Sequence, residues 1–333
     1  MHAVVLASFG PPGNLIVAEV PDPVPGPGQV LVDVHIANIT FVETQVRAGR
    51  PPNPAMLPRL PTVLGNGVGG VVASAGAGVD PALAGRRVIT ATGGSGGYAE
   101  RAVADAAGIV DVPEELSMAD AVALLADGRT AMGLVRAAGV RGGDTVLIEA
   151  AAGGVGSLLV QLARDAGARV VAAAGGPRKV SLAREVGADV AVDYTVPGWP
   201  GQVRAQAGAV DVVFDGVGGQ AGQAALGLLR DGGRFCAYGM ASGSFTEIPE
   251  EQTARRGIAV IRGAPVSPPQ MRELTTAALA QAAVGKLKPL IGQTFSLERA
   301  ADAHAAIETR ATVGKTLLLA RRTAARSAAG GTR

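Results

Sequence analysis

Cysteine is all but missing: Cys236 is the single one in 333 residues, so no disulfide can form within the chain and a reducing, cytoplasmic setting is expected. Histidine is nearly as scarce. His2, His35 and His304 are far apart in sequence, and with one thiol they fall short of a zinc-binding pattern, so no metal is expected. One Trp, three Tyr and six Phe leave few platforms for stacking bases. No apolar run approaches the roughly 20 residues of a membrane span. The opening MHAVVLASFG has neither a basic leader region nor a cleavage site, so neither secretion nor membrane insertion is expected.

Excess charge is also absent from the body of the chain. The formal +2 is misleading, because residues 321–333 (RRTAARSAAGGTR) hold four Arg and no acid. What is left is close to neutral and offers no electrostatic footprint for nucleic acid. The tail itself reads as a frayed, flexible end.

What the sequence has is turns and alternation. Gly 48 and Pro 21 occur without a G-X-Y period, which excludes collagen and implies many tight turns. At roughly 100–200 residues per domain the length suits two domains. Residues 1–121 read as short β runs (VVLASFG, LIVAEV, VLVDVHIA, GGVVASAG, RVITATG) split by turn residues, an antiparallel and partly closed unit. Residues 122–265 alternate apolar strands with helical segments, from TVLIEAA and SLLVQLARDAG to RFCAYGM. That march predicts a doubly wound parallel sheet, an α/β fold. After residue 265 two helical segments and a closing strand, TVGKTLLLA, return to the β-rich unit, giving domains of 1–121 with 266–333, and 122–265.

The strongest chemical signal is the turn after TVLIEA. Ala151-Ala152-Gly153-Gly154-Val155-Gly156 is a G-x-G-x-x-G dinucleotide pattern with Ala in first place, set between a strand and a helix. Gly153 lets backbone approach a pyrophosphate, Gly156 lets helix pack on sheet, and the helix N-terminus supplies amides. An NAD site would carry an acid about 20 residues on. Here the next strand ends Ala174-Gly175-Gly176-Pro177-Arg178-Lys179, with two cations and no acid, which favours the 2′-phosphate of NADP(H).

Three look-alikes fail on context. Gly65-Asn66-Gly67-Val68-Gly69-Gly70 matches the same pattern but precedes a strand. Gly93-Gly94-Ser95-Gly96-Gly97 matches a nucleophile elbow, with His304 downstream, yet it too is followed by β-like sequence rather than a helix. Gly314-Lys315-Thr316 ends like a P-loop but lacks its first glycine, the position being Thr309.

Taken together, Arg47-Ala48-Gly49, Gly97-Tyr98-Ala99-Glu100, Ala150–Gly156, Phe214-Asp215-Gly216-Val217-Gly218 and Arg310-Ala311-Thr312 with Gly314-Lys315 resemble the zinc-independent medium-chain dehydrogenases/reductases of the quinone oxidoreductase, zeta-crystallin-like, type. The resemblance implies a GroES-like catalytic domain plus a Rossmann domain, NADPH in the cleft between them, and a homodimer joined through Rossmann edge strands. It matches Lys179 and Tyr194 to the 2′-phosphate. Thr130, Gly154 and Val155 match positions along the pyrophosphate and nicotinamide, and Tyr238, Gly239 and Ser242 the loop at the nicotinamide end. Departures fall in the substrate pocket: Thr40 stands where Asn is common, Gln45 where Tyr is common, and Gly65-Asn66-Gly67 where zinc-dependent relatives have Gly-His-Glu.

The chemistry implied is hydride transfer from NADPH to a quinone or an α,β-unsaturated carbonyl, with Thr40 and Gln45 positioning the acceptor and solvent supplying the proton. Arg50 and Arg129 read as surface charges. Alternatives are an enoyl-thioester reductase, a non-catalytic NADPH-binding protein, and a serine hydrolase built on Ser95.

Overall fold

The computed structural model describes residues 1–263 and 266–320. The flexible tail expected at 321–333 lies outside the described residues.

The N-terminal part folds as β1 (His2–Leu6), β2 (Leu15–Glu19), β3 (Gln29–Ile39), α1 (Phe41–Arg47), β4 (Thr62–Val63), β5 (Gly67–Ala75), β6 (Arg87–Ala91), β7 (Arg101–Asp105) and β8 (Val110–Asp111). The centre adds α2 (Met118–Ala138), β9 (Thr145–Glu149), α3 (Gly154–Asp165), β10 (Arg169–Ala174), α4 (Pro177–Val186), β11 (Val190–Asp193), α5 (Trp199–Ala207), β12 (Val210–Asp215), α6 (Gly219–Leu226), β13 (Leu229–Ala237), α7 (Glu250–Arg255) and β14 (Ala259–Arg262). The chain then runs through α8 (Pro268–Ala283), β15 (Ile291–Ser296), α9 (Ala300–Glu308) and β16 (Lys315–Leu319).

β3 is the spine of the β-rich unit. Its residues alternate between buried and half-buried up to His35, the period of a strand with one face in a core. β5 pairs antiparallel along one edge, while β7 takes Gln29–Asp33 and β16 takes Ile36–Ile39 on the other. The chain's C-terminal strand thereby completes a sheet begun near its N-terminus. The glycines of the first look-alike serve this sheet: a Cβ on Gly70 would lie 1.9 Å from the carbonyl oxygen of Asp33.

The central sheet runs β11-β10-β9-β12-β13-β14 with every pair parallel. In order of appearance that is 3-2-1-4-5-6, the Rossmann arrangement. The turn from α6 into β13 comes earlier than the sequence suggested. Leu229, read as helical, already pairs with Val210, because the strand partner outweighs local propensity.

α2 carries no clear one-sided periodicity and was not anticipated as a helix. It starts at Ser117, whose hydroxyl accepts from the Asp120 amide at 3.0 Å, and stops at Gly139 with φ +57°. It is covered on several sides, by α3, α8 and β5, and a helix packed on more than one side shows no single apolar stripe to read. One apolar core runs from Ile36 and Ile89 through Leu124 of α2 to Leu158, Leu279 and Leu317.

Candidate functional site

The order of the parallel sheet reverses between β9 and β12, and open α/β sheets bind ligands outside the strand C-termini at such a point. The glycine turn stands there. Gly153 caps α3 in extended conformation and donates its amide to Ala150 O at 2.8 Å. The left-handed residue of the turn is Ala150, at φ +49°, so the Ala at the motif's first position, Ala151, needs no glycine conformation. A Cβ on Gly156 would lie 2.2 Å from Ala150 O, and one on Gly154 2.0 Å from Asp127 Oδ2. With only hydrogen at these positions the turn packs closely on Ala150 and Asp127, and the first-turn amides of α3 have no partners within the helix. Val155 lies between them, half-buried.

The turn is clasped by the β-rich unit. Gly314 donates its amide to Ala152 O at 2.7 Å, and Lys315 Nζ lies 2.8 Å from Asp127 Oδ1 on α2, with the lysine only 3% exposed. Gly314-Lys315-Thr316 is thus an internal fastening between the two sheets.

Around the end of β10 the cations converge. Lys179 Nζ donates to Arg310 O at 2.7 Å and keeps two donors free; burial, with Arg310 and Arg178 nearby, lowers its pKa. Arg310, left-handed at φ +57°, also bonds Ala241 O, and its charge acts on the nearby Tyr194 phenol. Burial raises the Tyr194 phenol despite that cation. Gly175 brings the chain against this phenol: its Cβ would sit 3.2 Å from the Tyr194 oxygen. Arg178 is exposed on the first turn of α4. Sequence reading noted Arg310 only as part of a family pattern; its meeting with Lys179, 131 residues away, is purely tertiary.

Thr130 and Tyr238 line one cavity of roughly 950 Å³ together with Phe245, Arg262 and Met271. The loop beyond β13 is pinned by Gly239 N to Asp215 O at 3.1 Å and Ser242 N to Val217 O at 2.7 Å. Beneath it, at the ends of β9 and β12, Glu149 and Asp215 are both fully buried. Asp215 accepts from Val217 N, from Gly218 N at 2.7 Å and from Thr246 Oγ1. Burial, then the hydrogen bond and charge of Asp215, push Glu149 well above the usual carboxylate range. A protonated Glu149 can donate to its neighbour, which two carboxylates could not do. Burial and these acids also raise the Tyr238 phenol.

A second cavity, roughly 810 Å³, lies on the β-rich side and is lined by Thr40, Glu43, Asn66, Ser95 and Arg129 among others. Thr40 caps α1 in a capping box, its hydroxyl 3.0 Å from Glu43 Oε2. Glu43 Oε1 accepts the Asn66 amide at 2.7 Å, and burial raises the carboxyl's pKa. Gln45 lines neither cavity; its amide donates to Thr44 Oγ1. Arg129, read from sequence as a surface charge, is half-buried and lines both cavities. Arg50 is exposed.

The hydrolase constellation does not assemble. Ser95 is followed by β7, not by a helix. His304 is fully buried with Nε2 3.1 Å from the Tyr98 hydroxyl, and burial lowers its pKa to about 3. Burial pushes the Cys236 thiol up to about 12. Among the described residues no group of three or more His, Cys, Asp or Glu is placed to hold a metal ion.

Comparison with known proteins places this geometry in company. The profile of the alcohol dehydrogenase GroES-like domain matches residues 26–114, and that of the zinc-binding dehydrogenases matches 154–280. A 2-haloacrylate reductase from a Burkholderia species is 33% identical over 95% of this chain and 98% of its own. Quinone oxidoreductase of Sus scrofa is 32% identical, over 96% and 98%. Among solved structures, Escherichia coli quinone oxidoreductase complexed with NADPH superposes with a TM-score of 0.87 at 27% identity, covering 96% of this chain and all of that one. A mycobacterial protein complexed with NADPH gives 0.87 at 32%, covering 96% and 99%.

Proposed function

Since the chain belongs to the quinone oxidoreductase family of the medium-chain dehydrogenases/reductases, we propose that it is an NADPH-dependent reductase that passes hydride to a quinone or an α,β-unsaturated carbonyl. The observation that carries the reading is the meeting of Lys179, Arg310 and Tyr194 beside a β10 end that has no acid. That donor set fits a 2′-phosphate, and β10 itself ends without the acid that would accept from a free ribose hydroxyl.

When bound, NADPH supplies a hydride, and the chain's own residues do the rest. First-turn amides of α3 would hold the pyrophosphate, on a turn that Gly153, Gly154 and Gly156 let close against Ala150 and Asp127. Thr130, Tyr238, Gly239 and Ser242 border the nicotinamide end. Thr40 lies where an acceptor oxygen would sit in the smaller cavity. Gln45, whose amide is spent on Thr44, supports α1 from behind. Solvent delivers the proton to the reduced acceptor.

The same reading covers organisation. The functional division runs between the β-rich unit, residues 1–121 with the C-terminal strands, and the Rossmann unit beginning near 122. α2 spans that first boundary, and α8 packs along α2. The chain works as a cytoplasmic homodimer joined through β14, whose outer edge has no strand partner among the described residues.

Titration with NADPH and NADH, followed by nicotinamide oxidation with benzoquinone, phenanthrenequinone, an alkyl enone and a crotonyl thioester, tests the proposal. Tight NADPH binding with turnover of a quinone or enone is expected. Exclusive turnover of the thioester would reassign the acceptor, binding without turnover would mean a non-catalytic role, and binding of neither nucleotide would overturn the reading.

A further inference from the structure

The two cavities meet at one side chain. Arg129, on α2 directly before Thr130, lines both. It is half-buried, and its guanidinium makes no hydrogen bond or ion pair among the described residues. The acid whose charge it feels is Asp127, two residues earlier, and that carboxylate already faces Lys315 at 2.8 Å. A guanidinium partly withdrawn from water with all five donors unspent is costly unless an anion arrives to use them.

The surroundings reinforce that sign. Titratable residues lining the smaller cavity are Glu43, Arg59 and Arg129. Glu43 spends both oxygens on Thr40 and Asn66, so it offers a ligand no free acceptor. In the larger cavity Arg136 is paired with Glu273, which leaves Arg129 and Arg262 as the cations facing the space, and no acid lines it. The cofactor's own phosphates have separate holders, at the α3 turn and at Lys179 with Arg310.

We propose that the acceptor is a conjugated acid, an alkene or enone bearing a carboxylate, and that Arg129 determines this specificity by pairing with the carboxylate at the junction of the two cavities. The inference rests on the reductase reading above and narrows its substrate class. In the reaction the acceptor's C=C bond takes hydride at one carbon, the π electron pair moves to the other carbon and its activating carbonyl, and solvent protonates that carbon. The alkene is reduced by two electrons as the dihydronicotinamide is oxidised by two. A planar guanidinium matches a carboxylate with two parallel N–H···O bonds, which lysine cannot reproduce.

The test compares trans-3-benzoylacrylate with its methyl ester, an acceptor pair differing by one charge, in the NADPH-loaded protein. Calorimetric binding of the saturated acid, 3-benzoylpropionate, to the NADP⁺ complex gives a readout free of turnover. The parent should prefer acid to ester in kcat/KM, and Arg129→Leu should reduce that ratio about 100-fold, Arg129→Lys about 10-fold. Arg129→Leu should also abolish 3-benzoylpropionate binding while NADPH affinity holds, which establishes that the variant is folded. An acid-to-ester ratio near one in the parent, a ratio unmoved by Arg129→Leu, or loss of NADPH affinity in place of acid binding would each overturn the proposal. Failure of the parent to bind NADPH at all would instead sink the reductase reading beneath it.

Discussion

The parallel-sheet half and the β-rich half of this molecule build their candidate sites by opposite means. At the switch point of the parallel sheet, the missing Cβ atoms of Gly154 and Gly156 let the turn close on Asp127 and on the Ala150 carbonyl, and the first-turn amides of α3 have no partners within the helix. On the β-rich side, Thr40 is consumed by Glu43 and Glu43 by Asn66, while Arg129, which lines both cavities, has donors to spare. In the proposed reading the pyrophosphate is met by backbone, the 2′-phosphate by Lys179 and Arg310, and the acceptor by Arg129. The halves also bury ionisable groups of opposite kind, Glu149 in one and His304 in the other, each pushed toward its neutral form.

The sharpest way to break the contrast is to unfasten the halves. Lys315→Met leaves the Asp127 carboxylate buried without its cation and should cost about 4 kcal/mol in denaturant unfolding, with Asp127→Asn/Lys315→Met recovering most of it. If the double variant is no better than the single one, the pair is not the fastening described. Next in size, Gly156→Ala forces a Cβ against the Ala150 carbonyl. It should lower stability by about 3 kcal/mol and weaken NADPH binding, as melting and titration would show.

Removing the phosphate cluster takes away Lys179 on the parallel-sheet half and Arg310, which reaches it from the segment between α9 and β16. Lys179→Ala/Arg310→Ala should reduce the preference for NADPH over NADH about 100-fold, measured by paired titrations, with little change for NADH.

The smallest effects concern pH, and their signs are opposite. Unfolded His304 takes up a proton below 6.5, whereas the native imidazole resists to about 3, so this group lowers stability as pH falls through that window. His304→Gln should flatten the acid side of the stability profile by roughly 2 kcal/mol at pH 5. Glu149 is raised from 4.5: the native carboxyl keeps a proton the unfolded one loses, and stability drops as pH rises above that value. Glu149→Gln should remove that decline. Equal pH profiles for both variants would erase the distinction between the halves.

The Rossmann half was legible because its rules are local. A strand, a glycine turn and a helix within about 20 residues announce the cofactor site, and the absence of an acid at Gly175 is visible one strand later. The seven-stranded sheet was half legible: its strands show period-2 burial, yet nothing local says that β16 closes on β3. Surface charge was the natural reading of Arg129, since nothing in the sequence says that Asp127, two residues before it, is taken by Lys315. Arg310 was equally silent, because its cluster joins three segments separated by up to 131 residues.

By itself the sequence determined the glycine turn, the parallel march of strands and a β10 end without an acid, all of which follow from neighbours in the chain, where steric and hydrogen-bonding demands act within a few residues. Only the tertiary structure decided that Lys315 fastens the halves through Asp127, that Glu149 rests against Asp215, and that Arg129 stands unspent between two cavities. Burial sets the energy of each of those charges, and burial is a property of the packed molecule rather than of any stretch of its chain.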